Sequence, residues 1–287
     1  MNKISLCNEV ISGRGRETIS FAVQCQMAAE MGYGGLEVAP FTLCNHPSEL
    51  SSAKRTDLLR TAKSFGLEIT GLHWLLVSPD GLSITSTDPN IWNKTLDVIK
   101  ATIDLCSDLE ANVLVHGSPA QRQLPLVGEV FEAQKRALDL WAAAGEFSER
   151  KGVTYCIEPL SRGETSFVNT VEDAVEIVQK INLPALQTMI DTSAAGLTET
   201  TEVADLINYW VPKGNIAHVQ LNSTNRGAPG DGDDPFYDIL KALKDTKYQG
   251  VIAVEPFIYK GGGQATAKRA IDYLKGVLKD INANLTS

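Results

Sequence analysis

Residues 152–191 read GVTYCIEPLSRGETSFVNTVEDAVEIVQKINLPALQTMID, which is the pattern of a strand, a loop, a helix and a second strand. The first seven residues, 152–158, are rich in β-branched and aromatic side chains and predict a strand; residues 186–191 predict another. Between them, residues 171–181 repeat apolar side chains at helical spacing. Two strands joined through a helix form the βαβ unit of a parallel sheet.

The same alternation recurs along the whole chain. Eight short apolar runs predict strands: KISLCN (3–8), GLEVA (35–39), LEITGLH (67–73), ANVLVHG (111–117), GVTYCIE (152–158), LQTMID (186–191), IAHVQLN (216–222) and GVIAVE (250–255). Helical spacing covers residues 17–31, 51–65, 91–109, 130–150, 171–181 and 265–279. Gly32, Gly66 and Gly152 follow three of these segments, where a left-handed cap residue is common. The pattern predicts one α/β domain over residues 1–287, a (β/α)8 TIM barrel.

Composition excludes several classes of function. A net charge of −9 without a basic stripe argues against nucleic acid as a partner. Five scattered cysteines without a CxxC pair indicate neither a disulfide framework nor a thiolate zinc site. No glycine-rich dinucleotide loop is present, so NAD is not expected. Without a long apolar span or a signal-like start, we expect a cytoplasmic protein that does not enter a membrane.

Polar side chains lie at the ends of five of the eight predicted strands, namely His73, His116, Glu158, Asp191 and Glu255. The carboxyl ends of all strands in a closed barrel converge on one mouth, so these residues should meet there. Three carboxylates at such a place repel each other unless a cation or protons neutralise them. A divalent metal ion is the simpler expectation.

The seventh predicted strand adds a neutral ligand. His218, Gln220 and Asn222 alternate along it, so their side chains share one face. Gln220 could therefore join Glu158, Asp191 and Glu255 around the metal. Oxygen ligands favour Mn²⁺ or Mg²⁺, with cobalt and zinc as alternatives.

Other polar residues of the mouth could bind a substrate. His73 and its neighbour Trp74 together suit the polar and apolar sides of a sugar. His116 could equally be a hydrogen-bonded core residue or a substrate contact. In the loop at 225–235, Arg226 could clamp a substrate oxygen, and Arg162, in the loop after the fifth strand, could orient a carboxylate from behind.

Four motifs carry a family resemblance over nearly the whole chain: IEPLSRGETSFVNTVEDA (157–174), MIDTSAAG (189–196), HVQLNSTNRGAPGDGD (218–233) and AVEPF (253–257). In this order and spacing, the chain resembles the xylose isomerase-like TIM barrels, specifically the sugar phosphate isomerase/epimerase group that includes D-tagatose and D-psicose 3-epimerases. The resemblance implies that Glu158, Asp191, residue 220 and Glu255 hold one divalent metal. The sequence departs from the family at two positions. Gln220 stands where the family has a metal-binding histidine, and Ala194 stands where a substrate-binding histidine is common.

The resemblance also implies an activity in carbohydrate metabolism. Glu158 and Glu255 would act as an acid/base pair on opposite faces of a ketose or keto-sugar derivative, with an enediolate between the two proton transfers. The implied partner is a sugar or sugar-like small molecule, and the implied assembly is a homodimer or tetramer. A lyase or dehydratase acting on a keto-inositol or a 3-keto-glycoside is the second interpretation, because the same enediolate can expel a leaving group. An inactive barrel that serves as a binding subunit is the third.

A related branch, the abasic-site endonucleases, has zinc-binding histidines that match His73 and His116. Its further histidines are replaced here by Ala194, Gln220 and Pro235. Together with the acidic net charge, these replacements argue against a trinuclear nuclease.

Overall fold

The structure, a computed structural model, describes residues 3–13 and 19–283. Eight parallel strands pair in chain order, and the first pairs with the eighth, so the sheet closes into a barrel. The strands are β1 (Ile4–Cys7), β2 (Gly35–Val38), β3 (Glu68–Leu72), β4 (Val113–His116), β5 (Thr154–Ile157), β6 (Leu186–Asp191), β7 (Ile216–Leu221) and β8 (Ile252–Val254). Each predicted strand is present, and the TIM barrel is confirmed.

Helices lie between the strands. They are α1 (Glu9–Ser12), α2 (Phe21–Met31), α3 (Ser52–Ser64), α4 (Pro89–Asp108), α5 (Val130–Lys151), α6 (Val171–Ile181), α7 (Thr192–Thr198), α8 (Val203–Trp210), α9 (Phe236–Asp245) and α10 (Gly263–Ala283). All six predicted helical segments correspond to one of these, although residues 17 and 18 of the first lie outside the described residues. Four further helices, α1, α7, α8 and α9, were not predicted; each has 10 residues or fewer.

Local sequence explains where several helices begin and end. The Thr170 side chain accepts a hydrogen bond from the Asp173 backbone, and Asp173 accepts one in return, a capping box that starts α6. The predicted cap glycines Gly32, Gly66 and Gly152 have φ values of 89°, 73° and 69°. These left-handed conformations cost glycine little, which confirms that the three residues end helices.

Beneath the mouth, one part of the barrel interior is apolar. Val113, Val115, Cys156 and Met189 form a small buried cluster of their own. Cys156 and Met189 lie two residues before Glu158 and Asp191 and therefore face the same side of the sheet. This apolar cluster thus lies beneath Glu158 and Asp191, which lie at the ends of their strands.

The cysteines and the lengths of the apolar helices bear on two further expectations from the sequence. All five cysteines are buried and free of disulfide bonds. Among the described residues, no helix is both long enough and apolar enough to cross a membrane.

Candidate active site

Three carboxylates meet at the mouth of the barrel. Glu158 directly follows β5, Asp191 ends β6 and Glu255 directly follows β8. One oxygen from each lies within 4.8 Å of the others, and all three residues are buried. The structure therefore brings together the three acidic residues selected from the sequence.

Burial and mutual repulsion make these acids reluctant to ionise. Burial, followed by the charges of Glu255 and Asp191, raises the pKa of Glu158 well above its ordinary value. Burial, followed by the charges of Glu9 and Asp191, does the same for the pKa of Glu255. Burial raises the pKa of Asp191 to about 6. A cation among them would favour the ionised forms.

Two buried oxygens, one on Asp191 and one on Gln220, are available to bind such a cation. Asp191 Oδ1 accepts a hydrogen bond from the Ala194 backbone at 2.7 Å. Asp191 Oδ2 and Gln220 Oε1 are buried and have no hydrogen-bond partner among residues 3–13 and 19–283. Asp191 and Gln220 are also direct neighbours in the register of β6 and β7. A set of three carboxylates and one amide oxygen fits a hard divalent cation.

A fourth buried acid, which the sequence analysis missed, lies behind Gln220. Glu37, on β2, accepts a hydrogen bond from Gln220 Nε2 at 2.7 Å, and its other oxygen lies 2.7 Å from His218 Nε2. Burial opposes ionisation of Glu37, but His218, His73 and the Gln220 amide lower its pKa below the ordinary value. The acidic residue in the otherwise apolar strand GLEVA was the available signal.

His73 and Trp74 both contact carboxylates of the mouth. His73 Nε2 lies 2.9 Å from Glu9 Oε2 and 3.8 Å from Glu255 Oε1. Burial opposes the charged form of His73, but Glu9 and Glu37 raise its pKa above the ordinary value. Trp74 Nε1 donates a hydrogen bond to Glu255 Oε1 at 2.7 Å. Glu9, which the sequence analysis also missed, lies in the four-residue helix α1.

A cavity of about 290 Å³ opens above this cluster. Its lining includes two of the three clustered carboxylates, Glu158 and Glu255, and two of the four predicted substrate residues, His73 and Trp74. A third, Arg226, also lines the cavity and donates a hydrogen bond to Glu164 Oε1 at 2.9 Å. The volume lies just below the roughly 300–1,000 Å³ typical of small-molecule sites and suits a small ligand.

One wall of the cavity is apolar. The Arg226 guanidinium lies 3.8 Å from the centre of the Phe257 ring, and the Trp74 ring packs 6.0 Å from the same ring. Glu164, the anion that holds Arg226, lies in the loop after β5 and was not predicted as a site residue. Its role depends on a contact between two loops 62 residues apart, which no local pattern shows.

The structure places two other predicted site residues away from the cavity. His116 is fully buried, and its Nδ1 accepts a hydrogen bond from Trp141 Nε1 at 3.0 Å and lies 2.7 Å from the Tyr155 hydroxyl. Burial, with Arg122 nearby, lowers its pKa to about 3, which keeps the ring neutral. Of the two interpretations of His116, these contacts favour the core residue. Arg162 is exposed and lines a separate surface cavity beside α5 and α6.

Arg122 is a further charge that the sequence analysis did not identify. It lies in a one-turn helix after β4 and is fully buried. Within the described part of the chain, its three guanidinium nitrogens have no hydrogen-bond partner. Burial lowers its pKa to about 10, whereas Glu158 and Glu164 favour its charged form. Its charge therefore offsets part of the negative charge of the mouth.

Gly117, directly after β4, makes room for Glu158. A methyl group at this position would overlap Oε2 of Glu158 and lie 3.2 Å from its Cδ. We expect Gly117→Ala to displace the Glu158 carboxylate and lower turnover by about 100-fold, since a misplacement of about 1 Å can cost that much. Gly276→Ala is the matched control, because, beyond its own turn of α10, no heavy atom of the described residues lies within 4 Å of the added methyl group. Equal turnover of the two variants would show that the Glu158 position does not matter.

Comparisons with known proteins place the chain among similar barrels. The family model described as xylose isomerase-like TIM barrel matches residues 25–277. A D-psicose 3-epimerase from Agrobacterium fabrum is 24% identical over 84% of this chain and 81% of its own length. The solved structure of a D-psicose 3-epimerase with D-tagatose from Clostridium cellulolyticum superimposes with a TM-score of 0.81 at 20% identity, covering 96% of this chain and 99% of that one. The 3-keto-D-glucoside 4-epimerase of E. coli superimposes with a TM-score of 0.80 at 18% identity, covering 96% and 100%.

Proposed function

The chain belongs to the xylose isomerase-like TIM barrel family, and we propose that it is a divalent-metal-dependent epimerase of ketoses or keto-sugar derivatives. The observation that carries this proposal is the placement of Glu158 and Glu255. Both belong to the buried carboxylate cluster and both line the same cavity. The similarity to proteins named as ketose and keto-glycoside epimerases supports the same activity.

Glu158, Asp191, Gln220 and Glu255 would hold the metal ion through their oxygens, with Mn²⁺ or Mg²⁺ favoured over cobalt or zinc. When bound, the ion would neutralise the clustered carboxylates and polarise neighbouring carbonyl and hydroxyl oxygens of the sugar. The raised pKa values of Glu158 and Glu255 in the metal-free cluster show how strongly this environment disfavours uncompensated charge.

The two glutamates would move the proton. One would remove the proton from the carbon next to the carbonyl group, and the other would return a proton to the opposite face of the enediolate. The carbon–hydrogen electron pair passes into the enediolate in the first step and returns to a new carbon–hydrogen bond in the second. Trp74, which donates to Glu255 Oε1, would restrict the orientation of that carboxylate.

The cavity suits a polar substrate with one apolar side. Arg226 and Glu164 offer a hydrogen-bond donor and an acceptor, while Trp74 and Phe257 provide ring surfaces that could lie against a sugar. Ala194 brings no polar group to its position at the start of α7. A substrate bound here would therefore find its polar contacts among the residues that line the cavity, which include Arg226, Glu164 and His73.

The experiment that tests this function is product analysis by NMR. A panel of ketoses, inososes and 3-keto-glycosides is incubated with the purified protein and Mn²⁺. An epimer formed from a ketose or keto-glycoside is the expected result. An elimination product would instead show the lyase, and no product from any of the substrates would contradict the proposed enzyme.

The pKa of Asp191 predicts how stability of the metal-free protein depends on pH. Because burial raises this pKa from 3.8 to about 6, the folded state holds a proton that the unfolded state loses between these values. The stabilisation is complete below pH 3.8 and is lost as the pH rises through about 6. Two pKa units correspond to about 3 kcal/mol. In thermal unfolding of the chelated protein, Asp191→Asn should lose less stability across this pH range than the wild type loses. Parallel curves for both proteins would contradict the shift.

A further inference from the structure

The Gln220 amide has two ends of similar shape, and only its hydrogen bonds decide which end faces which neighbour. One end lies 2.7 Å from Glu37 Oε1. An ionised carboxylate can only accept, so the NH₂ group must face Glu37. This leaves Gln220 Oε1, which is buried and has no hydrogen-bond partner among the residues described.

From this geometry we propose that Glu37 is a positioning residue that fixes the Gln220 amide so that its carbonyl oxygen is offered to the divalent metal ion. The inference rests on the proposed metal-dependent function. Gln220 lies opposite Asp191 in the strand register, and Asp191 also has an unpartnered buried oxygen within the described residues. Without Glu37, the amide could turn its NH₂ group toward the ion, which binds oxygen and not an N–H donor.

Glu37 is itself held in place. Its Oε2 lies 2.7 Å from His218 Nε2, and its Oε1 lies 3.7 Å from His73 Nδ1. Gly71 on the neighbouring strand lies close to this carboxylate, since a methyl group there would lie 3.4 Å from Glu37 Oε2, at van der Waals distance. The carboxylate therefore has a histidine on one oxygen and the Gln220 amide on the other.

This arrangement also explains how glutamine can occupy the position where the family resemblance expects a histidine. A metal-binding histidine orients itself through its second ring nitrogen, usually by donating to a carboxylate or a carbonyl group. Gln220 donates to Glu37 in the same manner and presents an oxygen in place of a nitrogen. The resulting ligand set contains only oxygen, which favours Mn²⁺ or Mg²⁺ over zinc.

The test compares two variants that separate contact from charge. Glu37→Asp keeps the negative charge but shortens the side chain by one methylene group, so that it no longer reaches Gln220. Glu9→Gln removes one negative charge from the same buried cluster, where Glu9 contacts His73, and leaves the Gln220 contact intact. Isothermal titration with Mn²⁺ gives the dissociation constant of each protein, and circular dichroism checks folding.

We expect Glu37→Asp to weaken Mn²⁺ binding by about 10- to 100-fold, as loss of a supporting contact to a ligand typically does. Glu9→Gln should weaken it clearly less. If Glu37→Asp does not fold, Glu37→Met, which has a similar length but no oxygen to accept the Gln220 hydrogen bond, should show the same loss. Equal Mn²⁺ affinity of wild type and the Glu37 variant, or equal losses in the Glu37 and Glu9 variants, would overturn the positioning role alone. Wild-type protein that binds no Mn²⁺ would overturn the proposed metal-dependent function as well.

Discussion

Glu158→Gln and Glu255→Gln are each expected to lower the rate of proton exchange into a ketose by about 100- to 10,000-fold, the usual contribution of a general acid or base. Each substitution keeps the size of the side chain and removes the group that accepts the proton. Both residues line the cavity at the mouth of the barrel. The measurement is deuterium incorporation by NMR at saturating Mn²⁺.

The fold should survive both substitutions. Replacing a buried acid of raised pKa by a neutral amide removes a charge that the environment disfavours. Glu68→Gln is the control, since Glu68 begins β3 at the opposite end of the barrel and is exposed. Near wild-type exchange in either site variant would contradict the scheme with two glutamates.

Removal of the metal is expected to have the second large effect on turnover. Dialysis against a chelator should abolish turnover, and Mn²⁺ should restore it, because the clustered carboxylates would otherwise remain partly protonated or repel each other. Turnover is measured before chelation, after it and after titration with Mn²⁺.

Asp191→Asn provides the comparison for that experiment. Its amide oxygen can still accept the hydrogen bond from the Ala194 backbone that Asp191 accepts at 2.7 Å, but it contributes no charge to the site. Mn²⁺ at a concentration that restores the wild type should leave this variant inactive. Full turnover of the chelated wild type would contradict a role for the metal.

The eight strands could be predicted because each one is a short apolar run, and all but β2 are followed directly by a polar residue or a glycine. The same rule located Glu158, Asp191 and Glu255, since the barrel brings strand ends together whatever their distance in sequence. The short helices α1 and α7 were not predicted, because four to seven residues carry too little periodicity to separate helix from loop.

The partners of the predicted residues were harder to find. Glu37 and Glu9 lie on other elements than Gln220 and His73, and only the closed barrel places them within hydrogen-bond distance. His116 is the opposite case, because its position suggested a site residue and its contacts favour a core residue. It ends a strand as the carboxylates do, but Trp141 and Tyr155 occupy its Nδ1 within the core, and nothing in the local sequence distinguishes it from a substrate contact.

The proposed mechanism requires that this barrel exchange the proton on a carbon next to a carbonyl group. Its most direct test is NMR of a ketose or 3-keto-glycoside incubated with the protein and Mn²⁺ in deuterated water. Deuterium is expected at that carbon in both the recovered substrate and the epimer, and chelation should stop its incorporation. Epimer formed without deuterium at that carbon, or no exchange into any substrate with Mn²⁺ present, would contradict the mechanism.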